Sequence, residues 1–399
     1  MNLLDLLLLL AVLVFAVSGY QRGLVAGFVS LAGFVGGAVI GVWLLPFVLD
    51  TVTPGTTGAT VVALLTVLAP AAIGQALAAP LGWRLRGALS WTPVRWADGA
   101  GGAAINAVAV LVVAWVAASA LAASPSPALN HSLRGSAVLG TVQDRMPDQA
   151  AGWFNEATGA LTTAGFPPVF NPFENEPGAA VPEPSGDSVT KAAADAARRS
   201  TVKVEGVADV DGSPRGQEGS GFVYAEEHVM TNAHVVAGVD DPTVRIGGVG
   251  RRYEAKVVLF DPAADVAVLD VPGMRAPALE FAGDASRRGA PGVVAGYPEN
   301  GGLDLRAAAV AQRVRAQGRD IYGDKVSTRD IYAIRSHVRP GNSGGPLLTT
   351  SGRVAGVIFA RSTSDAGTGY ALTSDQVRER AQRAADATQP VDTGNRSAL

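Results

Sequence analysis

Four long runs of apolar residues, at 3–20, 24–49, 60–81 and 103–123, dominate the start of the chain. Each is close to or above the roughly 18–20 residues that a helix needs to cross hydrocarbon. Inside a bilayer the backbone must satisfy its own polar groups, so runs of this length predict helices. Four membrane-spanning helices are therefore expected over residues 1–123. Gly33, Gly37 and Gly41 recur every fourth residue in the second run, which places a smooth strip on one helix face where another backbone can approach. Asp5 lies near the end of the first run, where its charge is expected to reach water.

The arginines set an orientation. Arg22 falls between the first two runs, and Arg84, Arg86 and Arg95 between the third and fourth, whereas the connection "LDTVTPGTTG" carries no Lys or Arg. Basic connections stay in the cytoplasm. Both termini and everything after Ala123 are then expected outside, on the periplasmic side. Trp83, Trp91 and Trp96 in the third connection suit a membrane–water interface. The first run lacks a basic start and three more spans follow, so it reads as an uncleaved span rather than a signal peptide. No paired intramembrane charges suggest a pore.

Beyond residue 123 the composition becomes that of an ordinary soluble chain. A net charge of −3 gives no field for nucleic acid. There is no cysteine, which removes disulfides, thiolate chemistry and cysteine–zinc sites. His131, His228, His234 and His337 have no metal-ligand spacing, so no metal or other cofactor is expected.

Residues 124–187 read as a linker. "AGWFNEATGALTTAGF" suits a short amphipathic helix. Pro167, Pro168, Pro172, Pro177, Pro182 and Pro184 then make 167–187 an extended spacer. Exposed spacers attract proteolysis, and self-cleavage here is an expectation.

From residue 188 to 399 the pattern is that of one soluble domain. "SVTKAAADAARRS" predicts a short helix. Short β-branched runs follow, among them "TVKVEGV", "SGFVYA", "HVMTN", "YEAKVVLF", "VAVLDV", "GVVAGY", "YAIRSHV", "RVAGVIFA" and "TGYALT", separated by turn signals. They predict an all-β barrel or sandwich. A final helix fits "SDQVRERAQRAADA", with Thr373 and Gln376 at capping-box spacing.

"RPGNSGGP" sets Ser343 among glycines. Such a turn clears side chains from around the hydroxyl and lets the N–H groups of Gly341 and Ser343 point together at a developing oxyanion. A serine nucleophile needs a base. His234, in T-N-A-H-V-V after a predicted strand, suits that role; His228 precedes the strand and is expected to be exposed. The base needs an orienting acid. "FDPAADVAVLDV" offers Asp265 at the head of an apolar strand, with Asp261 as the alternative; Asp270 closes the strand.

The resemblances follow from these residues. "NLLDLLLLLAVLVFAVSGYQRGLVAGFVSLAGFVGG" resembles the colicin V production protein family of four-span membrane proteins. G-S-G-F at 219–222, T-N-A-H-V-V at 231–236, D-V-A-V-L at 265–269 and G-N-S-G-G-P at 341–346 resemble the chymotrypsin-fold serine proteases, closest to their HtrA/Deg-like branch. The combined layout is similar to the actinobacterial membrane-anchored acid-resistance serine proteases of the MarP type. The resemblance implies two six-stranded β-barrels with a site in the cleft, Ser343 as nucleophile, His234 as base then acid, Asp265 as its partner, and an oxyanion hole on Gly341 and Ser343. It implies protein or peptide substrates of the cell envelope and a role in acid or oxidative stress. It places His337 near the floor of the primary pocket, Phe359, Ala360 and Arg361 on one wall, and Gly369 and Tyr370 on another. Arg361 would then disfavour a basic side chain; the other reading makes Arg361 and His337 plain loop residues.

Two departures matter. Without cysteine no redox lock of the kind some relatives carry is expected, and no PDZ domain is expected after the protease run. Asn342 stands where trypsin-like zymogens use an acid to pair with a freed amino terminus, so that activation route is not expected. Two further readings of the residues are an esterase on the same triad and a non-catalytic envelope adaptor.

Overall fold

The computed structural model describes residues 2–49, 57–87, 92–122, 132–146, 176–210, 213–283, 285–323 and 325–394. The amphipathic helix expected from "AGWFNEATGALTTAGF", the spacer up to residue 175, His131, most of the second connection, Trp91, and the side chains of Arg86 and Arg95 lie outside the described residues. The chain forms two compact units, and the second holds the residues from Glu176 onward.

In the first unit the apolar runs form α1 (Leu3–Arg22), α2 (Leu24–Leu49), α3 (Thr57–Gly87) and α4 (Thr92–Ala122). Each contains a stretch long and apolar enough to cross a membrane. A helix of α1's length measures ~30 Å, the thickness of a hydrocarbon layer. Large apolar side chains such as Leu7, Phe28, Trp43 and Leu77 point outward, as lipid-facing residues do. The glycine strip is a seam between α2 and α3. A Cβ at Gly37 would come within 2.6 Å of the Pro70 carbonyl carbon, and one at Gly41 within 2.6 Å of the Val67 Cα. α1 and α4 approach in the same way at Gly19 and Gly102.

Asp5 does not reach water. It is fully buried. Its carboxylate accepts from the Asn2 amide at 2.8 Å, the Ser136 hydroxyl at 2.5 Å and the Val138 amide at 3.1 Å. The last two lie at the start of α5 (Ala137–Gln143). The physical reason is that the chain after α4 folds back. Leu133 and Leu139 pack with Trp115, Ala118, Leu4 and Leu8, and the Trp115 indole donates to Gln143 Oε1 at 2.7 Å. Once that apolar contact forms, the carboxylate is sealed in and takes the free amides of a helix start as its solvent.

The second unit opens with α6 (Lys191–Ser200), capped by the Thr190 hydroxyl, which accepts from the Ala193 amide. Seven antiparallel strands follow: β1 (Thr201–Val210), β2 (Ser213–Ala225), β3 (His228–Thr231), β4 (Thr243–Ile246), β5 (Tyr253–Glu254), β6 (Lys256–Asp261) and β7 (Val266–Asp270). Their order is β5-β4-β1-β2-β3-β7-β6. The family pattern implies six strands, and the difference has a simple cause. β5 and β6 sit at opposite edges of the sheet, yet only Ala255 separates them in sequence. They are one strand broken at Ala255, and the chain itself joins the two edges of the curled sheet.

β8 (Pro291–Gly296), β9 (Asp304–Arg319), β10 (Val326–Arg335), β11 (Pro346–Thr349), β12 (Val354–Arg361) and β13 (Thr368–Thr373) close a second barrel of order β10-β13-β12-β11-β8-β9. β7 is buried on both faces. Ala267 and Leu269 point into the first barrel, while Val266 and Val268 join a core shared with Phe359 and Tyr370 of the second. This period-two division is what a strand trapped between two layers requires. The four-residue α7 (Ala233–Val236) follows β3, and α8 (Ser374–Arg383) closes the domain after β13. Val377 and Ala381 of α8 and Ala193 and Ala197 of α6 cover the shared core. Only half of the expected capping box forms. The Thr373 hydroxyl accepts from the Gln376 amide at 3.2 Å, but the Gln376 side chain accepts from the Asp330 amide instead.

Candidate active site

His234 lies in α7, just after β3 ends at Thr231. Its Nδ1 is 2.8 Å from Asp265 Oδ2 and 3.0 Å from Oδ1, and its backbone amide donates to Oδ1 at 3.0 Å. Of the two carboxylates left open by the sequence, Asp265 is the one that reaches the imidazole. Asp261 serves the turn. It accepts from the Ala264 amide at 3.0 Å and pairs with Arg380 of α8 at 2.8 Å. That turn sets Asp265 in a left-handed conformation, φ +59°, at a cost on the order of 1 kcal/mol. The bonds to a charged carboxylate, each about 1.5–3 kcal/mol, outweigh it.

Asp265 is fully buried. Burial alone would raise its pKa. The charge and ring hydrogen bond of His234, the Arg329 guanidinium and the His234 amide outweigh burial and hold the pKa below the ordinary carboxylate value. Arg329 comes from β10 and is itself 2% exposed. Its Nε donates to the Ala263 carbonyl at 2.9 Å. Burial pulls the Arg329 pKa down, against the charges of Asp265, Asp320 and Asp261. The Asn232 amide group donates to the Asp265 carbonyl at 2.8 Å, so main chain and side chain of the aspartate are both held from the histidine segment.

Ser343 is 1% exposed, at the turn before β11. Its carbonyl accepts from the Ser220 amide at 2.7 Å. A Cβ at Gly344 would lie 3.1 Å from the Asn232 amide nitrogen, so the serine turn presses against the segment that carries His234. Ser343 Oγ and His234 Nε2 are both buried, and neither has a hydrogen-bond partner among the described residues.

The turn before Ser343 is built by its sequence. The Asn342 amide donates to the Arg339 carbonyl at 3.0 Å. With Pro340 second and Gly341 third at φ +91°, this is a type II turn. The Asn342 side chain returns the bond, accepting from the Arg339 amide at 2.9 Å. The Pro340 carbonyl accepts from the Glu299 amide at 2.9 Å, and the Gly341 carbonyl accepts from the Ser220 hydroxyl at 2.6 Å. The same hydroxyl accepts from the Tyr297 amide at 2.8 Å. Among the described residues, no acceptor takes the amides of Gly341 and Ser343.

The expected pocket residues lie on one hairpin and its neighbour. Phe359 and Ala360 of β12 are buried, Arg361 is half-buried, and Ala360 pairs with Tyr370 and Arg361 with Gly369 of β13. His337 is exposed, on the segment between β10 and Ser343. His228 is not exposed as expected. It is 5% exposed, with Nδ1 2.7 Å from the Glu226 carbonyl and Nε2 2.9 Å from that of Ala387. The cause is the segment after α8, which returns across the start of β3.

Sequence reasoning missed Ser220 and Arg329 as supports of the site. Ser220 carried a signal, as the serine between Gly219 and Gly221 in G-S-G-F. For Arg329 the signal was a charged residue at an inward position of β10, just ahead of the "YAIRSHV" run read as a strand.

Two barrels with a serine in a glycine turn and a histidine–aspartate pair beside it define a trypsin-like serine protease. Residues 219–357 match the model of the Trypsin-like peptidase domain, and residues 4–147 that of the Colicin V production protein. The serine protease Rv3671c of Mycobacterium tuberculosis H37Rv is 37% identical over 396 residues, 98% of this chain and 98% of that protein. The crystal structure of the active form of the M. tuberculosis Rv3671c protease is 41% identical and covers 57% of this chain and 99% of that chain, with a TM-score of 0.53. A probable periplasmic serine endoprotease, DegP-like, of Halomonas elongata is 36% identical over 163 residues, 39% of this chain and 33% of that protein. The chain belongs to the MarP-type family of serine proteases, in which a Colicin V production-like region of membrane-spanning length precedes an HtrA-like peptidase domain.

Proposed function

We propose that this enzyme is a membrane-anchored endopeptidase that cuts envelope proteins on the extracytoplasmic side through Ser343, His234 and Asp265. His234 Nε2 takes the Ser343 proton as Oγ attacks the scissile carbonyl. The amides of Gly341 and Ser343 receive the oxyanion. His234 then returns the proton to the leaving amine, and water releases the acyl group from Ser343 by the same steps. Asp265 holds the imidazole in the tautomer whose Nε2 is free to accept.

The observation that carries the reading is the pair at 2.8 Å between His234 Nδ1 and a buried Asp265, with His234 Nε2 and Ser343 Oγ both buried and unbonded among the described residues. A fluorophosphonate probe tests it. Labelling of the folded protein that vanishes in Ser343→Ala is the expected result; no labelling at any pH would end the proposal.

In this reading residues 1–123 are the anchor, 124–187 the linker and 188–399 the protease. His337, Phe359, Ala360, Arg361, Gly369 and Tyr370 surround the primary pocket. Cleavage within the linker frees the protease. The arginine distribution supports an external protease. Because the chain has no cysteine, one introduced near residue 390 can be mapped cleanly in intact cells. An impermeant maleimide should label it, and labelling only after lysis would reverse the orientation. Duty in acid or envelope stress follows from the family resemblance. Poorer survival of Ser343→Ala cells in acid medium is the expected outcome.

A further inference from the structure

We propose that Glu176, in the stretch that leads into the peptidase domain, is a positioning residue for the primary specificity pocket. Its carboxylate is gripped by three consecutive residues far along the chain. The Ser362 hydroxyl donates to Oε2. Thr363 donates from its amide at 3.1 Å and its hydroxyl at 2.9 Å. Ser364 donates from its amide at 3.3 Å and its hydroxyl at 2.8 Å. Five donors fill the acceptor capacity of a carboxylate, which offers about four lone-pair sites.

Ser362, Thr363 and Ser364 form the turn from β12 to β13. The Ser362 amide donates to the Thr368 carbonyl at 2.9 Å, and the Thr368 amide to the Asp365 carbonyl at 3.0 Å. The Ser362 hydroxyl also accepts from the Asp365 amide at 2.9 Å. A turn so rich in hydroxyls has many alternative local bonds. A fixed carboxylate selects one arrangement. The strands that leave this turn carry Phe359, Ala360 and Arg361 on one side and Gly369 and Tyr370 on the other. These are the pocket walls of the proposed function, and the inference rests on that assignment.

The same stretch continues along the barrel as a brace. The Tyr370 hydroxyl donates to the Pro177 carbonyl at 3.3 Å, Gln312 to that of Gly178 at 3.1 Å, and Arg288 to that of Ala180. The Ala179 amide donates to the Thr368 hydroxyl at 3.3 Å. Asp365, on the far side of the turn, is held separately by Arg335 at 3.0 Å. Glu176 is thus the tie for the near side. A linker cut before residue 176 leaves the brace on the released protease, and a cut after it takes the brace away.

The test uses the full-length protein in detergent, with denatured casein and a fluorogenic peptide made from its fastest cut site. Glu176→Ala should raise KM for the peptide at least fivefold while kcat and the rate of fluorophosphonate labelling stay within twofold. Glu176→Gln should fall between. Ser364→Ala should raise KM by itself and add nothing in the Glu176→Ala background. An unchanged KM in Glu176→Ala, or additive effects of the two changes, would overturn the proposal. If Glu176→Ala does not fold, the milder Glu176→Gln and Ser364→Ala decide by the same KM criterion. Wild-type protein that fails to label would refute the serine chemistry itself, a separate result from an unaltered KM.

Discussion

The amide of Glu299 donates to the carbonyl of Pro340 at 2.9 Å. A trans peptide points its C=O and N–H in opposite directions, so this bond turns the Gly341 N–H away from the 297–300 loop. Arg339 reinforces the contact through ion pairs to Glu299 at 3.1 Å and Asp304 at 2.7 Å. Glu299 and Asn300 both hold left-handed φ, at +54° and +59°. The backbone that aims the proposed oxyanion donor is thus itself held in an uncommon conformation.

Gly341 is the residue on which this arrangement turns. Its φ is +91°, and an added Cβ would sit 3.0 Å from the Pro298 Cα. Gly341→Ala should flip the peptide and remove one oxyanion donor, lowering kcat by about 10²–10³-fold with little change in KM. Steady-state peptide hydrolysis checks this. A loss under tenfold would mean that the Gly341 amide does not serve the reaction.

The two aspartates of the "DPAAD" turn should separate cleanly. Asp265→Asn keeps the shape but presents the wrong tautomer of His234, and kcat should drop by about 10⁴. Asp261→Asn removes the pair with Arg380 at 2.8 Å. It should cost at most ~1 kcal/mol of stability and leave the pH profile in place. Equal losses of kcat in the two variants would reassign the acid.

The carboxylates of the peptidase domain predict how its stability depends on pH. Burial opposes ionisation of Asp265, Glu205, Asp304 and Asp365, yet neighbours win in each case: His234 for Asp265, Arg245 for Glu205, Arg306 and Arg339 for Asp304, and Thr368 with the Gly367 amide for Asp365. All four pKa values lie below their ordinary positions. A carboxylate with a depressed folded pKa stabilises above its unfolded pKa and loses that contribution only as pH falls through the folded one. Ordinary carboxylates titrate near about 4. For these groups the melting temperature should stay level from about pH 7 to about pH 5 and fall below about pH 4. A drop of many degrees already at about pH 5 would contradict the assignment.

In the membrane unit, Gly37→Leu should force α2 from α3, because even a Cβ overlaps the Pro70 carbonyl. Overpacking of this kind costs about 1–3 kcal/mol. Resistance of the helical unit to unfolding in detergent should fall. An unaltered unfolding curve would show that the seam is not close-packed.

The parts legible in the sequence are those where chemistry is local. Hydropathy alone gives the four long helices, because lipid tolerates little else. T-N-A-H, D-V-A-V-L and G-N-S-G-G-P stand out because each must shape its own few residues of backbone. What stayed hidden depends on contacts distant in sequence. Nothing near Asp5 announces that α5 will bury it, and nothing near Glu176 names the turn at 362–364. β9 was overlooked for another reason. "DLRAAAVAQRVRAQGR" is rich in alanine and arginine, good helix formers. Its strand character rests on the alternation of Val314 and Ala316, turned inward, with exposed Arg313, Arg315 and Gln317. Tertiary pairing with β8 and β10 overrides the propensity.

The carboxylate that opens α1 is translated 131 residues ahead of the serine hydroxyl that receives it. Ribosomal synthesis runs in one direction, so α1 waits through the making of three further helices before its acidic end finds a permanent home. The burial of that carboxylate is thereby timed to the moment when residues 136–138 emerge, and a segment made after all four long helices closes over the first.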